Sequence, residues 1–138
     1  MRSMSCFTAT AMLVATTAVY AHHSHPDFLP DVDVSVEGTI ETIHFENPHV
    51  VLTLRTADSV LYTIEWQAAR WLATAPQAFV TPVPGPVTSD TLKVGDRVII
   101  TGMPPRDPTR HELVTLKAVS RPADGWLWTC RRPPGYSC

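Results

Sequence analysis

The chain has 138 residues, of which 44% are hydrophobic, and carries 11 Lys plus Arg against 13 Asp plus Glu. That length supplies one domain with one core, and the small negative balance excludes a nucleic-acid groove, which needs clustered positive charge. Three cysteines with no Cys-x-x-Cys spacing exclude the motif of a thiol–disulfide enzyme.

The chain opens as an export signal. Arg2 is the one charge ahead of residues 7–19, an apolar stretch shorter than a membrane-spanning helix. Val19-Tyr20-Ala21 offers small residues at the two positions that signal peptidase reads, so residues 1–21 are expected to be removed. A cut after Ala18 is the competing site and would leave Val19-Tyr20-Ala21 in front of His22. Export places the protein in the periplasm or outside the cell, with no transmembrane segment left. Cleavage after Ala21 removes Arg2 and leaves 10 basic against 13 acidic side chains, a formal charge of −3.

The terminus uncovered in this way reads His22-His23-Ser24-His25, three imidazoles close to a free amine. The amine and ring of His22 can bind one metal together, with a second imidazole completing a three-nitrogen site resembling a histidine brace. The amine, the backbone nitrogen of His23 and its ring form a second possible chelate for square-planar Cu(II), the ion that nitrogen ligands favour in the divalent series. Either chelate needs the amine unprotonated, which a reference pKa near 8 places at neutral to alkaline pH. The plainer reading of residues 22–33 is a flexible, solvated arm.

Period-two patterning then takes over. Val32, Val34, Val36, Gly38 and Ile40 alternate with polar residues, as in a strand with one buried face. Ile43 and Phe45 continue in the opposite phase, so a bulge or sharp bend is expected near Glu41-Thr42, with Gly38 serving the same curvature. Asn47-Pro48 breaks the strand, residues 49–55 read as the second, and a turn at Ala57-Asp58-Ser59 leads into a third whose inward face is Val60, Tyr62, Ile64 and Trp66. Residues 67–75 change period: Ala68, Trp71, Leu72 and Ala75 share a helical face, and Pro76 ends the helix. Residues 77–90, with Pro82, Pro84 and Pro86, are expected to be an exposed loop. Residues 97–102 read as the fourth strand and 111–119 as the fifth. Trp126 and Trp128, after an Asp124-Gly125 turn, are expected to cover one end of the barrel.

The expected architecture is therefore mainly β, a small OB-like five-stranded barrel over residues 34–122 with one short helix between strands 3 and 4. A β-sandwich fragment would show the same alternation. Residues 123–138 form a tail that Cys130 and Cys138 are expected to close by a disulfide in an oxidising compartment, two free thiols or an intermolecular link being the alternative.

Further candidate ligands are expected at the barrel rim. His44 and Glu46 share one strand face, and His49 follows the Asn47-Pro48 turn, so any of the three is placed to meet the terminal histidines; His22, His23 and His25 with His49 form the preferred site. His111 beside Glu112 reads as a solvated pair.

His22-His23-Ser24, Gly38 with Asn47-Pro48-His49, Trp66, Leu92-Lys93-Val94-Gly95-Asp96, Gly102 and Asp124-Gly125, in that order, resemble an exported bacterial family known only as domain of unknown function 6152. The likeness covers nearly all of the chain after the leader. Residues 77–90, resembling an insertion, and the cysteine-closed tail depart from it. The resemblance implies fold and export and brings no activity. Three classes remain open: a metal-binding module holding copper, or else zinc or nickel; an OB-like module that grips a small ligand or an envelope protein with no metal role; and a copper enzyme. The last lacks a catalytic motif, with no Gly-x-Ser-x-Gly, no His-Glu-x-x-His and no carboxylate pair placed for acid–base work.

Overall fold

A computed structural model describes residues 25–74, 80–81 and 86–130, the pair at 80–81 by backbone alone. The alternating segments form strands: β1 (Val34–His44), β2 (Val51–Arg55) and β3 (Leu61–Glu65), followed by helix α1 (Ala69–Thr74). After it come β4 (Val80–Thr81), β5 (Arg97–Met103), β6 (Glu112–Arg121) and β7 (Trp126–Cys130). β1 pairs antiparallel with β5 through its first half and with β2 through its second. β2 pairs with β3 and β5 with β6, both antiparallel. A parallel pairing of β3 with the start of β6, Thr63 opposite Glu112 and Ile64 opposite Leu113, closes the ring. The result is a closed five-stranded mixed barrel in the order β1-β2-β3-β6-β5, with α1 between its third and fourth strands.

One strand serving two partners must bend, and β1 bends at its bulge. The pairing to β2 slips between Ile40 and Thr42, leaving Glu41 as the extra residue at the phase flip expected from sequence. Arg55 Nη2 donates to Glu41 Oε2 at 2.9 Å, tying the bulge to the end of β2. Val36, Gly38 and Ile40 face inward before the bulge, while Ile43 and Phe45 are half-buried after it. Gly38 marks the tightest crossing, because a Cβ there would stand 2.6 Å from the Arg55 carbonyl oxygen.

Ile40, Leu52, Leu54, Ile64, Val98, Ile100, Leu113, Leu116 and Val119 fill the interior at or below 1% exposure. A crevice of about 10 Å³ between Ile43, Phe45, Val50, Trp66 and Leu92 has room for one water and not for an organic ligand. Among the described residues, no helix is long and apolar enough to cross a membrane.

Four local expectations change. Val32 precedes β1 and is 41% exposed, and Val34, 38% exposed, stands at the lip where β1 meets the last residues of β5. Residues 77–90 are not wholly an exposed loop: Val80 and Thr81 pair with Cys130 and Thr129 of β7, and Val87 enters the core, its amide donating to the Leu72 carbonyl. Trp126–Cys130 is a strand rather than a pair of covering aromatics. It pairs with the end of β6 and buries Trp128 edge-to-face against Trp66, ring centroids 5.0 Å apart. The helical segment is shorter than 67–75, with Ala69 and Leu72 buried and Ala68 and Trp71 half-buried; Ala75 and Pro76 lie outside the described residues.

Candidate functional site

The described histidines divide between the two ends of the strands. Where β1 ends, β2 begins and β3 ends, the turn at residues 45–50 is fastened from both sides. Asn47 Oδ1 accepts the Arg70 amide at 3.1 Å and so caps α1 from a distant loop. The Val50 amide donates to the Gln67 carbonyl at 3.1 Å, and the Trp66 amide donates to the Val50 carbonyl at 2.8 Å. The Asn-Pro-His sequence is thus structural, locking the barrel's first turn onto the helix. His49, half-buried, carries Nδ1 2.5 Å from Glu65 Oε1. A carboxylate on Nδ1 holds the ring and, in the neutral form, sets the lone pair on Nε2, the arrangement of many metal-ligating histidines. His44 and Glu46 are exposed. Among the described residues no three His, Cys, Asp or Glu side chains converge to hold a metal, so His44, Glu46 and His49 do not form a site by themselves.

The Gly95-Asp96 pair is also structural. Gly95, with φ of 94°, donates its amide to the Ile40 carbonyl at 2.8 Å, and the Ile40 amide donates to the Asp96 carbonyl at 2.9 Å, so this turn grips β1 beside its bulge. Asp96 Oδ2 accepts the Lys93 amide at 2.9 Å and Arg121 Nη1 at 2.7 Å, and Arg121 reaches on to Asp124 at 2.8 Å. Burial, the largest influence on the Asp96 carboxyl, raises its pKa, but the Lys93 amide and the Arg121 guanidinium outweigh it and hold the group below the ordinary carboxylate range. Asp124 is lowered chiefly by its bonds from Arg121.

At the other end, where β1 begins, β5 ends and β6 begins, the chain just after the histidine run lies on the 104–110 loop. The Leu29 amide donates to the Pro104 carbonyl at 3.0 Å and the Arg106 amide to the Asp27 carbonyl at 2.8 Å. Arg106 Nε donates to the Pro26 carbonyl at 2.9 Å, and Phe28 bridges to Pro105. Phe28 is buried with Met103 and Val114 in a small cluster separate from the main core. The ring of His25 stands edge-on to Phe28 at 5.6 Å, and the Arg110 guanidinium lies 5.5 Å from the same ring centre. His22 and His23, like the Ala21–His22 bond, lie outside the described residues, and so does Cys138.

Two features of this end are missing from the ligand set expected from sequence, namely His111 and the anchor at Phe28. His111 is exposed beside Arg110, its carbonyl accepting the Thr63 amide at 2.9 Å and its ring tilted against Tyr62 at 5.2 Å. Phe28 offers a faint signal as the one aromatic between the histidine run and the first strand, flanked by the turn-forming Pro26-Asp27 and Pro30-Asp31 pairs.

A family model described as "Family of unknown function (DUF6152)" matches residues 11–115. No match was found among curated proteins or among solved structures.

Proposed function

The chain belongs to this family of unknown function, membership brings no activity with it, and we propose from the residues that the protein is an exported module holding Cu(II) at the amino terminus that begins with His22. The observation that carries the proposal is the anchorage of residues 26–29 on the 104–106 loop. Terminal residues are ordered when they are tied down, and a chelating terminus held near a rigid barrel loses less conformational freedom on binding than a long free tail does. The amine and ring of His22 are the proposed chelate, with His23 and His25 near enough in sequence to add nitrogens. Asp27, Asp107 and Glu112 all lie within electrostatic reach of Arg110 at this end of the barrel.

The test is a Cu(II) titration of the mature protein above pH 8 beside a form with one extra residue before His22. The expected result is tight binding by the first and binding weaker by orders of magnitude in the second. Equal affinities would refute the terminal chelate, and an intact mass showing cleavage after Ala18 would remove it before any titration. The same mass, measured without reductant, tests the proposed Cys130–Cys138 bridge, whose short loop is worth about 2–3 kcal/mol.

One observation favours the rival reading of an envelope ligand- or partner-binding barrel with no metal role. Thr42, Thr53 and Thr63 stand opposite one another across β1, β2 and β3, a hydroxyl row on the outer face where OB-type barrels take oligosaccharides. Saturable binding of an oligosaccharide or peptide, unaffected by copper, would select that reading.

A further inference from the structure

We infer that the groove filled by Phe28 is a recognition site for an extended peptide segment of another protein, one in which an acidic residue precedes an aromatic one, and that residues 26–29 occupy it in cis as a tethered competitor. The groove needs no metal. Strand alternation builds it: Ile100 and Leu113 face the main core, whereas Met103 and Val114, an odd number of residues further on, stand opposite one another on the outer side of the sheet. Phe28 covers the apolar patch that those two side chains make on the barrel wall. The Arg110 guanidinium, held by Glu112 at 2.6 Å, lies 5.5 Å from the ring centre, with Asp27 within its electrostatic reach. The other contacts grip main chain. Arg106 donates its amide to the Asp27 carbonyl at 2.8 Å and its Nε to the Pro26 carbonyl at 2.9 Å, and the Pro104 carbonyl accepts the Leu29 amide at 3.0 Å. A short strand bridge beside one aromatic socket is how sheet edges take peptides, main-chain bonds supplying affinity and the socket selectivity.

Three features make the occupant exchangeable. Pro104 and Pro105 carry no amide hydrogen, so Arg106 is the one donor across residues 104–106 and the added strand cannot zip further. Phe28 bridges to Pro105 and Val34 pairs with Gly102, so six residue steps of arm face three of β5 and its extension, and residues 30–33 are a slack tether that lets the arm leave without moving β1. The Phe28 cluster is also separate from the main core, so opening it does not breach the barrel. A second copy's arm has no advantage over the resident one, because the contacts are the same and a short tether gives the cis arm an effective concentration in the millimolar range. Displacement calls for a different chain with a better fit. Arg106 shows where that fit is available: among the described residues it meets carbonyl oxygens and no carboxylate, so a peptide with an acidic residue in place of Pro26 gains an ion pair that the arm lacks.

The experiment uses the full chain, as wild type and as F28A, with a thermal melt of each to establish folding. Two end-capped peptides are titrated, Glu-Asp-Phe-Leu and the same sequence with Ala for Phe, and binding is read from the amide chemical shifts of Arg106 and Val114. F28A is expected to bind the Phe peptide, the wild type to bind it on the order of tenfold more weakly because its own arm must first be displaced, and neither to bind the Ala peptide. A folded F28A that takes up no Phe peptide at millimolar concentration, or that binds both peptides alike, overturns the site. Should F28A fail to fold, the wild type alone decides: saturable shifts at Arg106 and Val114 with the Phe peptide and not with the Ala peptide uphold the groove, and their absence overturns it. Sedimentation of both proteins over a range of concentrations tests the remaining occupant. A wild type that dimerises where F28A does not assigns the groove to a second copy of the chain and overturns recognition of another protein.

Discussion

Replacing Gly38 by alanine puts a methyl group where β1 and β2 cross most closely. Its Cβ would lie 2.6 Å from the Arg55 carbonyl oxygen, 2.9 Å from the carbonyl carbon and 2.9 Å from Leu54 Cγ. Ordinary contact begins near 3.4 Å, so β2 must retreat by about 0.8 Å at a point where Thr39 pairs with Arg55 and Ile40 with Leu54. Two of the three atoms are backbone and cannot swing aside. An unobstructed Gly-to-Ala change in a strand gains about 0.5–1 kcal/mol from reduced chain entropy, whereas overpacking a filled core costs about 1–3 kcal/mol. The clash wins, and the net expectation is a loss of roughly 1–2 kcal/mol, or a fall in Tm of roughly 5–10 °C for a domain of this size. Urea unfolding followed by the fluorescence of the buried Trp66 and Trp128 measures it directly, as a lower midpoint at unchanged slope. A G38A protein as stable as the parent, or more stable, would refute the close approach and with it the account of how β1 serves two neighbours.

Trp128→Ala is expected to cost about 3–5 kcal/mol, because the ring is buried against Trp66 and no solvent-side rotamer substitutes for it; a loss under about 1 kcal/mol by denaturant titration would show that β7 is an appendage. Asn47→Ala removes the acceptor of the Arg70 amide and should cost about 1 kcal/mol, read as faster hydrogen exchange at Arg70 while strand amides keep their protection. Stability should also fall on acidification. Asp96 and Asp124 have folded pKa values below their ordinary value of 3.8, so their contribution is complete above about pH 4 and disappears as the pH drops through the folded values. Asp96→Asn should flatten that acid limb in urea midpoints taken from pH 3 to 7; a parallel limb in the variant would show that the Asp96–Arg121 contact contributes no pH dependence.

Much of the barrel was legible in sequence because each strand half-buries itself and therefore alternates. The bulge at Glu41 is the clearest case: an extra residue must flip the phase of every side chain after it, and Ile43 with Phe45 record the flip. β7 carries a signal too, since Trp126, Trp128 and Cys130 alternate over five residues, but a segment so short after a turn reads equally as loose aromatics. β4 has none, two residues among prolines whose pairing exists only because the end of β7 lies beside them. Among the candidate ligands, the residue types and the shared strand face of His44 and Glu46 were apparent from the pattern, and the spatial neighbours of His49 were not. His49 meets Glu65 because the register of β2 on β3 sets Val51 opposite Glu65, a fact of pairing sixteen residues away in the chain.

The run His22-His23-Ser24-His25 remains a statement of composition: nitrogen donors after an expected cleavage site, Ala21–His22, that the intact mass tests. Local sequence alone determined strand number in the barrel, the helix and the bulge, because each depends on neighbours a few residues apart. Tertiary structure decided where Phe28 docks, on Met103, Val114 and Arg110, because contacts across some eighty residues arise from chain closure and leave no periodic trace in the sequence.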